Sequence, residues 1–547
     1  MPYKPDLLLV NANVLTMDPA RPRANAVAIA GGRIIGVYPG KPDTSAREVI
    51  DLNGVTLIPG FHDAHNHMIG FGLTLTETDL HVTSLDELYA RVTQRARATR
   101  PGDWVVGSGY DVNKTGGHPD RDVLDRIAPN RRVWLKHTSG HACVVNTMVL
   151  SDLGIDVSAP HVNGGRVIAD TSGRPTGLLE ERAQELLGEL TRPYPVTVLT
   201  AAIASAGERY LRQGTTSVTE AGIGDGQVGH SPVELAAYQA ARDQGRLPVR
   251  VELMVAAEAL HELAAHPGDG LELGLDLGIR TGFGDDWLCL GPVKFFIDGS
   301  LTGGTAAMSA PYAGESGTNG YLQADVGELA AAIVAAHRAG WRIATRAVGD
   351  RAIDVALDAF TAAARAQPRP DARHRVELFA VARPDQVKRA AYGGVIAVPQ
   401  GRSGIELGDW IMAAVGPRRA QWLYRQRSLL DAGMVLPGSS ECSTASGAPL
   451  PGIHEMVNRR TASGAPFNLA EAVTAEEALR AYTYGSAYAS KQEHVKGSIE
   501  PGKLADLTVL SEDPTAVSPH RIAGLEVLAT IIDGQVRYAA LPAMWPM

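Results

Sequence analysis

Between residues 60 and 439 this chain alternates short, β-rich apolar runs with segments of helical periodicity. That alternation is the pattern of βα units laid around a parallel sheet. Eight such runs occur: Gly60 to His65, Thr215 to Glu220, Val249 to Met254, Gly291 to Ile297, Arg342 to Arg346, His374 to Phe379, Val395 to Pro399 and Met434 to Ser439. Amphipathic stretches such as Val326 to Ala339 and Arg351 to Ala366 fill the intervals. An α/β fold closing as a (β/α)8 TIM barrel is the economical topology for these units.

The two chain ends have a different texture. Leu7 to Val10, Val14 to Thr16, Ala26 to Ala30 and Arg33 to Val37 are short apolar runs broken by turns, one of them Gly31-Gly32; this reads as a small β-sheet module. Ala505 to Ser511 and Val527 to Tyr538, with Asp533-Gly534 as a hairpin turn, repeat it. Residues 1–59 and 495–547 are therefore expected to pair into a composite β-sandwich beside a barrel of residues 60–494. About 150 residues separate the first two barrel strands, far more than one helix needs. An inserted subdomain over about 75–195 is expected there, above the barrel mouth, opening on the capping box Ser84-Leu85-Asp86-Glu87.

Composition narrows the partners. Lys plus Arg number 51 against 60 Asp plus Glu, a formal charge of −9. With no concentrated basic run, a nucleic-acid partner is not expected. Cys143, Cys289 and Cys442 form no CxxC, so neither a disulfide framework nor a cysteine zinc knuckle is indicated. No run reaches the roughly 18 apolar residues that span a bilayer, and Met1 to Asp6 lack a signal-peptide pattern. The expectation is a cytoplasmic protein with a small-molecule substrate and no membrane partner, a homodimer being an open option.

The first barrel strand ends Pro59-Gly60-Phe61-His62-Asp63-Ala64-His65-Asn66-His67. Strand side chains alternate faces, so His65 and His67 point the same way, about 6.5 Å apart, and could grip one zinc ion. Buried, hydrogen-bonded histidines are the plainer alternative, but placement at a barrel mouth after a small β module favours a site.

Together with Ser139-Gly-His-Ala142, Val293-Lys-Phe-Phe-Ile-Asp-Gly-Ser300, Arg346-Ala-Val-Gly-Asp350, Arg375-Val-Glu-Leu378, Gly438-Ser-Ser440 and Gly497-Ser-Ile-Glu-Pro-Gly-Lys-Leu-Ala-Asp-Leu507, this motif resembles the amidohydrolase superfamily, specifically amidohydrolase family 3, which includes N-substituted formamide deformylases. The resemblance runs nearly end to end. It implies a β-sandwich plus TIM barrel in which an ion-activated water attacks an amide or similar C–N bond. It also implies metal ligands from the HxH of strand one, a strand-four lysine that is often carboxylated, one histidine each from strands five and six, and an aspartate of strand eight that takes the water's proton.

His65, His67 and Lys294 match that set; three other positions depart from it. Arg346 stands where the strand-five histidine is expected, Leu378 where the strand-six histidine is expected, and Ser440 where the aspartate is expected. His374 shares parity with Leu378 but lies about 13 Å back along the strand, too far to substitute. Glu441 could replace Ser440 only if the turn differs locally, and Glu377 is expected on the outer face, between strand and helix. A guanidinium about 4 Å from a divalent cation in a poorly solvated pocket repels it by several kcal/mol.

The sequence reading is therefore an amidohydrolase-fold enzyme that works without a metal or other cofactor, by acid–base or lysine-dependent chemistry. Lys294 is its amine, salt-bridged in the plainer alternative to Asp298 or Asp350. Arg346 holds a carboxylate or oxyanion, His141 polarises a carbonyl or shuttles a proton, and His65, His67 and Asp298 complete the catalytic set. Two alternatives stand beside it. One is a zinc-dependent hydrolase of an amide or formamide C–N bond, with a single weakly bound Zn2+ on His65, His67 and Lys294. The other is a non-catalytic ligand-binding pseudoenzyme.

Overall fold

The computed structural model describes residues 4–137, 142–156, 158–162, 165–224, 226, 228–266, 268–313, 317–442 and 446–540. The chain divides into two compact units, one of residues 1–68 and 206–547, the other of residues 69–205.

The first unit holds a barrel of seven strands: β1 (Phe61–Asn66), β2 (Thr215–Ile223), β3 (Arg250–Ala256), β4 (Leu288–Phe296), β5 (Ile343–Ala347), β6 (Arg375–Leu378) and β7 (Ile396–Pro399). Each pairs in parallel with the next in chain order. β1, β2 and β3 are buried along their whole length, as parallel strands covered on both faces must be. Helices Val326–Arg338 and Asp350–Ala366 fill two of the crossovers. The register sets Phe296 beside Arg346 and Arg346 beside Glu377, so residues far apart in sequence meet where β4, β5 and β6 end.

The eighth expected strand, Met434 to Ser439, is not a strand. It still closes the gap between β1 and β7. Gly438 O accepts from Ala64 N at 2.9 Å, Ser439 O accepts from Gly401 N at 2.9 Å, and Glu441 N donates to His65 O at 2.9 Å. Pro437 has no N–H to give to a ladder, and Gly438 beside it weakens any strand, so closure relies on isolated bonds.

The barrel interior is polar and paired. Arg342 Nη1 donates to Glu252 Oε1 at 3.2 Å, Thr219 Oγ1 to Glu252 Oε2 at 3.1 Å, and Arg375 Nε to Glu377 Oε1 at 2.7 Å. Charges shut away from water need such partners.

Strands from both chain ends form two further sheets. One runs Arg33–Tyr38, Ala26–Ala30, Leu7–Val10, Glu48–Asp51; the other runs Gln535–Ala539, Val527–Ile532, Leu507–Leu510, Thr56–Pro59, Asn13–Leu15, Arg23–Ala24. Leu9, Val27 and Ile29 of the first pack with Leu57, Val509 and Ile531 of the second in one core. Thr56–Pro59 pairs antiparallel with Leu507–Leu510 and leads through Gly60 directly into β1. A Cβ on Gly60 would lie 2.2 Å from Thr216 Oγ1, so only glycine lets the chain pass. The sheets are tied to the barrel by Arg250 of β3, whose Nε donates to Asp506 Oδ2 at 2.7 Å with both side chains buried.

The second unit is a seven-stranded mixed sheet including Trp104–Tyr110, Arg132–His137, Ala142–Val145 and the hairpin Gly165–Ala169 with Pro175–Glu181. Helix Leu85–Ala98 packs Leu88, Val92 and Ala96 onto Val105, Leu124 and Val133. Ser84 caps it, its Oγ accepting from Glu87 N at 3.2 Å. Among the described residues no helix is long and apolar enough to cross a membrane.

Removing one partner of a buried ion pair strands the other. Arg250→Ala is expected to lower the unfolding free energy by about 3–5 kcal/mol, measured by urea denaturation. A loss below about 1 kcal/mol would show that Asp506 does not depend on this arginine.

Candidate metal centre at the barrel mouth

Two residues of β6 do what the sequence assigned to none of them. Arg375 and Glu377 alternate with Val376 and Leu378, and the charged pair faces the barrel interior, where Nε and Nη2 of Arg375 meet Oε1 and Oε2 of Glu377 at 2.7 and 2.9 Å. Glu377, expected on the outer face, is fully buried and lies 2.6 Å from His65 Nδ1. Burial alone would raise its pKa, but the Arg375 charge and the His65 hydrogen bond outweigh it and hold the carboxyl down to about 2. Glu377 is thus an acceptor, and His65 Nδ1 carries the proton. Burial, with the Lys294 charge, pushes the His65 pKa down to about 3 against the pull of Glu377. The ring is neutral, and its Nε2 keeps a free lone pair.

That Nε2 is buried and has no hydrogen-bond partner among the described residues. His67 sits beside it, the two rings edge to face with centroids 5.5 Å apart. His67 Nδ1 lies 3.6 Å from Glu220 Oε1, and Glu220 Oε2 accepts from Tyr238 OH at 2.6 Å.

The third donor is Glu441. Glu441 was expected to serve in place of Ser440 only if the turn differs locally, and the turn does differ, for a backbone reason. Ser440 is consumed by Asp63: its N donates to Oδ1 at 3.0 Å, and its Oγ to Oδ2 at 2.5 Å. Asn66 Nδ2 and His65 N also donate to Asp63, whose pKa burial raises to about 6 despite those bonds. Glu441 then takes a left-handed conformation, φ 55°, with its N–H on His65 O. One ligand atom each from His65, His67 and Glu441 lies within 4.8 Å of the others. Two imidazoles and a carboxylate are an ordinary donor set for a catalytic divalent ion, which keeps a position open, and a carboxylate-bound Nδ1 is the usual support of a ligating histidine. The residues fit a metal, and nothing in this geometry supports the expectation of a metal-free barrel.

Lys294 Nζ donates to Ala221 O at 2.6 Å and lies 5.0 Å from the Phe296 ring centroid. Its pKa is lowered to about 8, by burial first; Glu377 and Glu441 pull it up and Arg346 pushes it down. The proposed salt bridge to Asp298 or Asp350 is absent among the described residues. Asp298, expected in the catalytic set, clamps a loop, accepting from Val348 N, Ala307 N and Gly349 N at 3.0, 2.8 and 2.8 Å. Asp350 binds Ser309 and Arg383.

Arg346 does not enter the ligand cluster. Its Nη1 donates to Asp298 O at 3.1 Å and Gly299 O at 2.6 Å, and its Cζ lies 5.6 Å from the Phe296 ring. Leu378, at φ 68°, packs with Leu301, Met308 and Ile411. His374 pairs with His337 at 2.8 Å, remote from the mouth as expected. His141 lies outside the described residues.

A model of the amidohydrolase family matches residues 48–538. The chain belongs to this family. It is 33% identical to N-substituted formamide deformylase of Arthrobacter pascens, over 97% of this chain and 98% of that protein. It is 29% identical to Protein LONG AFTER FAR-RED 3 of Arabidopsis thaliana, over 97% of this chain and 91% of that one. Among solved structures, an uncharacterized metal-dependent hydrolase from Pyrococcus horikoshii OT3 superposes with a TM-score of 0.75 at 27% identity, covering 94% of this chain and 99% of that chain. The protein is accordingly an amidohydrolase-family hydrolase.

The sequence offered Glu441 as a substitute for Ser440, but nothing there marks the left-handed turn that brings it in. Glu377 was legible: two charged residues of equal parity in a strand of a buried sheet pair with each other, and Arg375-Val-Glu377 has that form.

Two substitutions test this centre by zinc affinity, measured by competition with a chromogenic chelator. Glu441→Gln should weaken zinc binding at least about tenfold, by removal of a charged ligand. Glu377→Gln, which touches His65 only from behind, should weaken it by about 10–100-fold. Wild-type affinity in Glu441→Gln would remove Glu441 from the ligand set.

Proposed function

We propose that the protein is a metal-dependent hydrolase of a C–N bond in a small organic amide or formamide, with His65, His67 and Glu441 as the residues that hold the ion. The observation that carries this reading is the buried, unpartnered Nε2 of His65, opposite a Glu377-bound Nδ1 and within 4.8 Å of donors from His67 and Glu441. A satisfied structural histidine has no reason to keep that lone pair free. A divalent ion bound there supplies Lewis acidity, polarising a carbonyl and acidifying water.

The chain's own residues do the rest. Glu377 fixes the tautomer and orientation of His65, and Arg375 keeps Glu377 ionised. Lys294 places a proton donor at Nζ in the same space and offsets the charges of Glu441 and Glu220. Phe296 lies between Lys294 and Arg346 as an apolar surface for a substrate. The two sheets built from the chain ends form a β-sandwich that fixes the entry of β1, and with it the HxH pair.

The relatives support this reading. The Arthrobacter relative is named for deformylation of N-substituted formamides, and the Pyrococcus neighbour for metal-dependent hydrolysis.

The test is formate release from N-formyl-2-phenylethylamine. Activity should vanish after dialysis against dipicolinate and return with one equivalent of zinc. Undiminished turnover by chelated protein, with metal content verified below a tenth of an equivalent, would restore the metal-free reading.

A further inference from the structure

Arg346 is the departure from the family pattern that the metal centre leaves unexplained. The register puts it at the end of β5, beside Phe296 of β4 and Glu377 of β6. Lys294 precedes Phe296 on β4 by two residues, and the ring of Phe296 lies 5.0 Å from Lys294 Nζ and 5.6 Å from Arg346 Cζ. Arg346 therefore stands on the same wall of the barrel mouth as the candidate centre.

Its surroundings are unusual for an arginine only partly open to solvent. Arg250 of β3, Arg375 of β6 and Arg342 just before β5, all buried, each meet a carboxylate. Arg346 meets none among the described residues. Asp298, whose backbone Arg346 touches, turns both carboxylate oxygens to backbone amides and offers Arg346 its carbonyl. Two carbonyls, of Asp298 and Gly299, hold Nη1. Nε and Nη2 have no partner among the described residues, and they form the side-on edge of the guanidinium.

We propose that this edge binds a carboxylate of the substrate, so that the preferred substrates are N-acyl compounds carrying a free carboxylate near the scissile amide. The proposal rests on the reading of the protein as a C–N hydrolase and specifies its substrate class. Three physical points support it. A guanidinium pinned by one nitrogen has already lost most of its rotamer freedom, so binding through the other two costs little additional order. Nε–H and Nη2–H are parallel and match the two oxygens of a carboxylate. A fixed cation in a mouth that also takes a divalent ion is repelled by it, and an anionic substrate relieves that repulsion where a neutral one does not.

The experiment compares N-formylphenylalanine with N-formyl-2-phenylethylamine, which lacks only the carboxylate, on the zinc-loaded full chain. Wild type should prefer the acid, and in Arg346→Gln that preference, as a ratio of kcat/KM values, should fall by about 10–100-fold, the worth of a charged hydrogen bond pair, mainly through KM. Arg346→Lys retains a donor for the two carbonyls and guards against misfolding; it should show an intermediate ratio. Equal losses on both substrates would make Arg346 only a clamp on residues 298 and 299 and overturn the proposal. So would a wild type that hydrolyses the neutral compound and not the acid, which leaves the hydrolase reading standing.

If neither compound is turned over, the hydrolase reading loses support, and binding decides the rest. Calorimetry with 3-phenylpropanoate and 3-phenylpropanamide should show wild type preferring the carboxylate and Arg346→Gln losing that preference. Unchanged preference in the variant would overturn the role of Arg346.

Discussion

The buried ion pair of Arg375 with Glu377, extended by the hydrogen bond that Glu377 accepts from His65, is the constraint on which the site depends. All three side chains are within 1% of complete burial. A carboxylate and a guanidinium in such a place are costly unless each satisfies the other, and here the compensation does chemical work as well. Ionised Glu377 dictates which nitrogen of His65 carries the proton, and so which is left to ligate. The barrel thus converts a polar core into the preorganisation of its mouth, and the charge of Arg375 reaches the centre without touching it.

The closing segment after β7 shows the opposite strategy. This segment forms no strand, and side chains supplement its isolated backbone bonds. Asp63, inside the HxH strand, gathers Ser440 and Asn66, and that grip sets the backbone so that the next residue, Glu441, falls left-handed with its carboxylate among the histidines. A non-glycine residue in that region costs of order 1 kcal/mol or more and persists only where its surroundings over-determine it. Four hydrogen bonds on Asp63 and the Glu441 N–H bond to His65 O provide that determination.

The charge balance of the mouth differs from a plain multi-histidine centre. The carboxylates of Glu220 and Glu441 act on the Lys294 ammonium, while Arg346 adds a second cation held by backbone carbonyls. Arg346 is kept off the ligand cluster by two carbonyl oxygens, which removes the objection that a guanidinium there must expel an ion. A permanent cation is a fixed feature of the barrel mouth, outside the cluster of His65, His67 and Glu441.

The sequence by itself determined the barrel class, because the alternation of apolar runs with helical periodicity has few other packings, and it placed His65, His67 and Lys294, because strand parity and motif position are local properties. It misjudged Glu377 by taking Leu378, at the family's ligand position, as inward and alternating back from it to put Glu377 on the outer face, although the pairing of two like-parity charges was readable. Only the tertiary structure decided that Ser440 serves Asp63 and that Glu441 supplies the carboxylate. The reason is that a left-handed turn is chosen by hydrogen bonds arriving from β1, almost four hundred residues earlier in the chain, and no neighbouring residue encodes them.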